Sequence, residues 1–341
     1  MNSPLLATEG AVPAEGLDAG VAAHYGDPVR EQRAMDRAAG LVDRSHRGVV
    51  SITGPDRLSW LHSLTSQHLD ALAPGPTAQA LILSPNGHVE HHLTLADDGT
   101  TTWIQVEPGT AGALVEFLDS MRFMLRVEVA DVTAGYAVLS VAGPAAGEAA
   151  APLAEAAVAS MAGAVGTDHL VPREQLAGLV AAAQDRGARL AGIWAYEAFR
   201  IAAREPRYGL DTDHKTIPHE VGWIDTAVHL SKGCYRGQET VARVHNLGHP
   251  PRRLVFLHLD GSMDRLPGHG DEVSLDGKTV GFVGSTARHY ELGPIGLALV
   301  RRTTPVDATL VAGGVAASQE VIVPPDAGAN VTIDRSAFAR R

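Results

Sequence analysis

Apolar and polar positions change rhythm several times along the chain, and each change marks an element. Gly48-Val49-Val50-Ser51-Ile52 alternates and predicts a strand. Asp56 opens a helix whose apolar positions are Leu58, Trp60, Leu61 and Leu64. Ala80-Leu81-Ile82-Leu83 and His91-His92-Leu93-Thr94-Leu95 flank Ser84-Pro85-Asn86-Gly87, an Asn-Gly turn between two strands and hence a hairpin. Thr102-Trp103-Ile104-Gln105-Val106 predicts another strand, 110–121 a helix and 125–129 a strand. A short helix is expected within 28–40. Residues 143–166 are dominated by alanine and glycine and suit a helix with a small-residue packing face. Pro172-Arg173-Glu174-Gln175 opens a helix that Gly187 closes. In 193–203, Trp194, Ala198 and Ile201 recur at helical spacing, a stripe expected in the core. Residues 204–220 carry the Pro, Gly and Asp content of a loop. From 254 to 322 short strands are separated by Gly, Pro and Asp turns, the signature of a small barrel.

The elements add up to an α+β body followed by an all-β module, with no internal repeat. A length of 341 residues exceeds one ordinary core. The expected division is a flexible tail over 1–24, an N-terminal α+β domain over 25–135, a middle α+β domain over 136–250, a β-barrel over 251–325 and a tail over 326–341.

Composition narrows the function classes. Hydrophobic content of 45% and charged content of 20% are those of a soluble globular protein. No apolar run spans a bilayer, and the first residues lack the basic start and apolar stretch of a signal peptide. A formal charge of −11 argues against a general nucleic-acid binder and against a surface drawn to anionic lipid. Within this acidic chain, 236–253 is a basic stretch holding Arg236, Arg243, Arg252, Arg253, His245 and His249. It suits an anionic ligand or a solvated loop. A single cysteine fits a reducing compartment, and a cytoplasmic location is expected.

That cysteine stands in Lys232-Gly233-Cys234-Tyr235-Arg236-Gly237-Gln238-Glu239. With no second thiol it is an inert buried atom, a nucleophile, a redox sensor or a ligand shared with another molecule. Lys232 and Arg236 lie two residues away on either side and would favour the thiolate. Gly233 and Gly237 permit tight backbone geometry and the close approach of a ligand. Gln238 onward reads as a helix start, whose free amides favour a nearby anion. Cys234 is therefore the candidate catalytic residue. A structural thiol in a packed turn is the alternative.

The familiar cofactor signatures are absent: no dinucleotide fingerprint, no phosphate-binding loop, no His-Glu-x-x-His helix. One cysteine cannot hold an iron–sulfur cluster in the usual four-thiolate manner. None of the 16 histidines has convincing metal-ligand spacing, so no metal site is expected. His91 and His92 would point to opposite faces of their strand.

The Cys234 octapeptide resembles the signature of the YgfZ-type folate-binding proteins, relatives of the glycine-cleavage T-protein (aminomethyltransferase). Asp43-Arg44-Ser45-His46-Arg47-Gly48 with Val50-Ser51-Ile52-Thr53-Gly54-Pro55-Asp56-Arg57 resembles the N-terminal segment of that family. Phe199-Arg200-Ile201 with Pro206, Gly209, Asp211, Pro218 and Glu220 resembles the middle. Gly281-Phe282-Val283-Gly284-Ser285-Thr286 with Gly296-Leu297-Ala298 resembles the C-terminal segment. The resemblance implies two mixed α/β domains around a central folate site plus a small C-terminal barrel. It implies tetrahydrofolate or a derivative as ligand, held by Arg200 and by Lys232, Gly233, Tyr235, Arg236, Gln238 and Glu239. Arg200 would grip a carboxylate of the folate tail, or simply end its helix. Glu239 would accept the amino face of a pterin, or complement a helix dipole.

Two departures separate the chain from the transferase branch. T-proteins carry an aspartate on the hairpin where this chain offers His91 or His92, with Glu90 adjacent. They carry an acid two residues past the helix arginine, where this chain has Ala202. The expectation is a tetrahydrofolate-binding factor that assists iron–sulfur cluster assembly or repair through Cys234, with iron–sulfur clients or assembly proteins as partners. A tetrahydrofolate-dependent aminomethyl- or methyltransferase and a non-catalytic folate-binding module are the alternatives.

Overall fold

A computed structural model describes residues 2–330. Two five-stranded sheets face each other, and helices cover their outer faces. The first sheet has the order Ala78–Leu83, Val89–Asp97, Thr101–Val106, Gly48–Thr53, Glu128–Asp131, all antiparallel. The expected hairpin and the flanking helices, Arg57–Leu64 and Ala111–Ser120, are present. Val50, Ile52, Leu93, Leu95 and Ile104 are buried beneath Trp60, Leu61, Leu114 and Leu118 of those helices.

The second sheet runs Ala159–Ala162, Thr167–Pro172, Tyr136–Ala142, Gly40–Asp43, Arg189–Ala191. Its last strand is parallel to Gly40–Asp43, and the rest are antiparallel. Gly40–Asp43 comes from the N-terminal third of the chain, so the two layers are interlocked. Alternation along each strand decides what meets between the sheets. Val49, Trp103, Val138 and Leu170 form an apolar layer at one end of the interface. Gln105, Ser140 and Asp168 lie two residues along the same faces and are buried polar groups. The gap between the sheets therefore changes from oily to charged along its length.

A closed six-stranded barrel follows the body, in the order Arg252–Leu259, Gly293–Arg301, Lys278–His289, Glu272–Leu275, Leu310–Ala312, Val315–Val321. Val255 and Leu257 point into the barrel with Val283, Val300 and Val315. Leu254 and Phe256 point outward into a second core shared with Leu81, Ala198, Ile201, Trp223 and Tyr235. This alternation welds the barrel to the body.

Several expectations need correction. Residues 2–24 are not a loose tail. Val21, Ala22 and Ala23 are buried, Ala22–His24 pairs with Val12–Pro13, and the Ser3 hydroxyl donates to Asp43. The segment runs close against Gly192, where an added Cβ would meet the Ala23 carbonyl oxygen at 2.2 Å. The alanine-rich 143–166 holds two short helices, Ala146–Ala149 and Ala151–Ala156, then the strand Ala159–Ala162. Pro152 has no N–H to continue the first helix, so it starts a second. Trp194 is 55% exposed and lies against His24, 5.1 Å between ring centres, while Ala198 and Ile201 are buried as expected. Of the expected tail 326–341, residues 331–341 lie outside the described residues. Ala329 and Asn330 donate backbone N–H groups to Val244 and His245 of the helix Gln238–Leu247.

Candidate functional site

The charged end of the inter-sheet gap is a cavity lined by Arg44, Arg47, His92, Gln105, Glu107, Asp168, Tyr196, Glu197, Arg200 and Arg207, among others. A water-sized sphere can occupy about 70 Å³ of it. That is room for a few waters and far below the several hundred Å³ of a typical small-molecule pocket. The charges explain why it is so full. Arg44 reaches Asp168 at 2.9 Å, and Asp168 also accepts from Gln105 and Ser140. Arg47 pairs with Glu107 at 2.5 Å. Arg207 pairs with Glu107 at 2.8 Å and Asp18 at 2.7 Å. Burial works against the charge of Glu107, but Arg47 and Arg207 hold its carboxyl down at about 2. The Arg44 guanidinium lies 4.1 Å from the centre of the Tyr196 ring.

Arg200 sits on the helix Ile193–Ala202 and lines this cavity, yet all five of its N–H groups are used. Nε and Nη2 hold Glu197, Nη1 holds Asp211 and the Glu205 carbonyl, and Nη2 also meets Ser285 Oγ. The expected grip on a folate carboxylate thus has no free donor. The reason is local spacing: Glu197 lies one helical turn before Arg200 and reaches it first. Two polar atoms are left over. Arg47 Nε and Gln105 Oε1 are buried without partners.

The hairpin histidines separate as alternation predicts. His91 lies against Phe117, 6.4 Å between ring centres. His92 stacks on Trp223 at 4.4 Å, lies 3.2 Å from Gln79 Oε1 and faces the cavity. Burial pushes both down to about 4, so both are neutral near pH 7. Glu90 points elsewhere, to Arg236. The cavity is not short of acids, however. Glu107, Asp168 and Glu197 line it. Sequence reading overlooked them; a buried-strand acid such as Asp168 beside apolar neighbours is the signal that could have found them.

The Cys234 turn lies outside that cavity: none of residues 232–239 lines it. Cys234 is exposed. Its cationic neighbours face away from the expected task. Lys232 is buried, and its ammonium donates to the His62 and Thr65 carbonyls and lies 5.0 Å from the Tyr235 ring centre. Burial pushes Lys232 down to about 8. Arg236 bonds Glu90 at 3.0 Å and covers Phe117. Tyr235 is buried in the shared core. Gly237 has φ +81°, and a Cβ there would sit 2.6 Å from the Ser84 carbonyl. The glycine lets the turn press against the hairpin tip, so its role here is packing. Gly233, by contrast, has open space where a Cβ would be. Gln238 and Glu239 open the helix Gln238–Leu247, with Glu239 exposed in its first turn. The expected binding set therefore divides: Arg200 belongs to the cavity, and the octapeptide belongs to the far side of the hairpin.

Comparison with known proteins follows this anatomy. The GCVT N-terminal domain model matches residues 6–166, and the C-terminal β-barrel domain model of CAF17 matches 252–326. An aminomethyltransferase of Geobacillus kaustophilus is 30% identical over 302 residues, covering 80% of this chain and 81% of that one. The chain belongs to the GCVT-domain aminomethyltransferase family. A Nostoc aminomethyltransferase is 29% identical, covering 80% of this chain and 79% of its own. The crystal structure of glycine cleavage aminomethyltransferase T from Bartonella henselae superposes with a TM-score of 0.79, at 19% identity, over 94% of this chain and 96% of that one. The mixed α/β body and closed barrel are the T-protein fold. No helix among the described residues is long and apolar enough to cross a membrane.

Proposed function

We propose that this family member is a tetrahydrofolate-binding factor of the YgfZ type that assists iron–sulfur cluster assembly or repair in the cytoplasm, using the thiol of Cys234. The exposure of that thiol carries the reading. It is the single cysteine, it is open to a partner, and it sits within an octapeptide of the YgfZ kind. The CAF17-type barrel and the neutral His92 facing the cavity support the same branch.

The cavity's chemistry fits the pterin end of a folate rather than its acidic tail. Arg47 Nε is an orphaned donor and Gln105 Oε1 an orphaned acceptor. Glu107 and Glu197 can accept paired N–H groups once the arginines that hold them swing aside. Arg200, the expected anchor for that tail, has no donor left for a carboxylate. Arg47, Gln105 and Glu197 would hold the ring, and tetrahydrofolate would supply a carrier for one-carbon units. Entry requires that some ion-paired side chains swing aside, because the space at rest is too small.

Calorimetry with tetrahydrofolate tests the first half. Wild type and Cys234→Ala should bind equally, and Gln105→Ala at least tenfold more weakly. Absence of binding at millimolar ligand removes the proposal. Cells lacking the protein should lose activity in particular iron–sulfur enzymes, and Cys234→Ala should not restore it. The aminomethyltransferase relatives favour a second reading, a transferase. Turnover of an aminomethyl-lipoyl donor at ordinary enzymatic rates would establish it in place of the first.

A further inference from the structure

The loop that leads into the Cys234 turn crosses a group of histidines that the folate reading leaves unused. His62 lies in the last turn of the helix Arg57–Leu64, and His68 and Asp70 follow in the loop after it. One ligand atom from each of these three lies within 4.8 Å of the others. Asp70 Oδ1 is 2.7 Å from His68 Nε2 and 3.7 Å from His62 Nδ1. A fourth imidazole, His229, comes from a segment far away in sequence, its ring centre 5.1 Å from that of His68. The His62 and His68 rings meet edge to face at 4.8 Å. We propose that His62, His68 and Asp70, with His229 as a further donor, form a binding site for one divalent transition-metal ion of the zinc class.

The donor set suits that choice. Imidazole and carboxylate together favour zinc and its neighbours over calcium or magnesium, which take oxygen ligands. Donors on a metal of this kind lie about 2.0–2.2 Å from the ion, hence roughly 3–3.5 Å apart. The observed 2.7 and 3.7 Å separations bracket that spacing. His68, Asp70 and His229 are exposed, so their rings and carboxylate can adjust.

Two features moderate the affinity. The His62 Nδ1 lone pair accepts a long hydrogen bond from the Leu69 N–H at 3.2 Å, which a metal would displace. The Lys232 ammonium is nearby, although it is spent on the His62 and Thr65 carbonyls. Micromolar binding is expected, well short of a closed structural zinc site. The site would tie the turn 62–70 to the segment 228–234, which carries Cys234.

The test is titration of the purified full chain, free of any polyhistidine tag, with zinc chloride alone. Cobalt chloride, through its ligand-field absorption, serves as the optical probe. One equivalent should bind with a micromolar dissociation constant. His68→Ala and Asp70→Asn should each weaken it at least tenfold, with unchanged thermal midpoints in the absence of metal. His258→Ala, an exposed barrel histidine paired with Glu320, should bind as wild type does. No binding at millimolar zinc, or equal affinity in His68→Ala, Asp70→Asn and wild type, overturns the proposal. Neither result bears on folate binding in the cavity, which contains none of these residues.

Discussion

Around the central cavity each arginine is met by carboxylates, whereas at the Cys234 turn the thiol stands in solvent and its cationic neighbours have turned to other partners. Both regions carry residues that resemble family motifs, but they use charge in opposite ways. In the cavity, charges are buried, matched and mutually dependent. At the turn, Lys232 and Arg236 fasten the loop to the hairpin and to the helix end, leaving Cys234 as the exposed member. The cavity should therefore be sensitive to any unmatched charge, and the turn should tolerate loss of its most conspicuous residue.

The largest effect is expected from Arg200→Ala. It strands Glu197 and Asp211 in the interior, where breaking a buried pair by removing one partner typically costs about 3–5 kcal/mol. Urea unfolding should show that loss in the midpoint. A loss below about 1 kcal/mol would mean that water enters the cavity freely and that the contrast with the turn is overdrawn.

Acid should act on the body before it acts on the ion pairs. His91, His92 and His219 are all pushed down to about 4 by burial. In the unfolded chain they titrate near 6.5. Folded-state values below unfolded ones mean that the unfolded chain binds more protons between the two. Stability is then fully present above about pH 6.5 and falls as pH drops toward 4, by at most ~1.4 kcal/mol per pH unit for each group. Glu107, held at about 2, stabilises the fold fully above its ordinary 4.5, and that stabilisation is lost only as pH falls from 4.5 toward 2. Urea midpoints at pH 7 and 5 should differ, and His92→Gln should reduce the difference. An unchanged difference in His92→Gln would place the proton uptake elsewhere.

Much of this was legible in the chain. The Asn-Gly turn located the 78–97 hairpin, and Gly, Pro and Asp turns between short strands located the barrel, because turn residues write local backbone geometry into the sequence. Lys232 and Arg236 singled out Cys234 as a candidate, and the thiol is exposed although both cations turn to other partners. What was not legible was pairing across distance. Nothing local says that Glu197 captures Arg200, that Lys232 turns inward to the His62 carbonyl, or that His229 meets His68 across the sequence. The strands Gly40–Asp43 and Tyr136–Ala142 escaped because both faces of their sheet are covered, which blurs the alternation. The N-terminal alanines read as flexible because composition does not say whether a small residue has a surface to fill.

The smallest effect is expected at the residue with the largest proposed role. Cys234→Ala removes an exposed side chain with no hydrogen-bond partner among the described residues, so stability should change by no more than ~0.5 kcal/mol. The same exposure predicts that iodoacetamide modifies Cys234 in the folded protein, at a rate independent of added urea below the unfolding transition. A buried thiol behaves differently, since its modification waits for opening and tracks the unfolding equilibrium. The Lys232 ammonium is committed to two carbonyls, so Lys232→Met should disturb stability more than it disturbs the alkylation rate. If Lys232→Met instead slowed alkylation tenfold with stability intact, the lysine would be tuning the thiol after all, and the two regions would share one use of charge. If Cys234 reacted only as fast as the protein unfolds, its exposure and the role proposed for it would both be withdrawn.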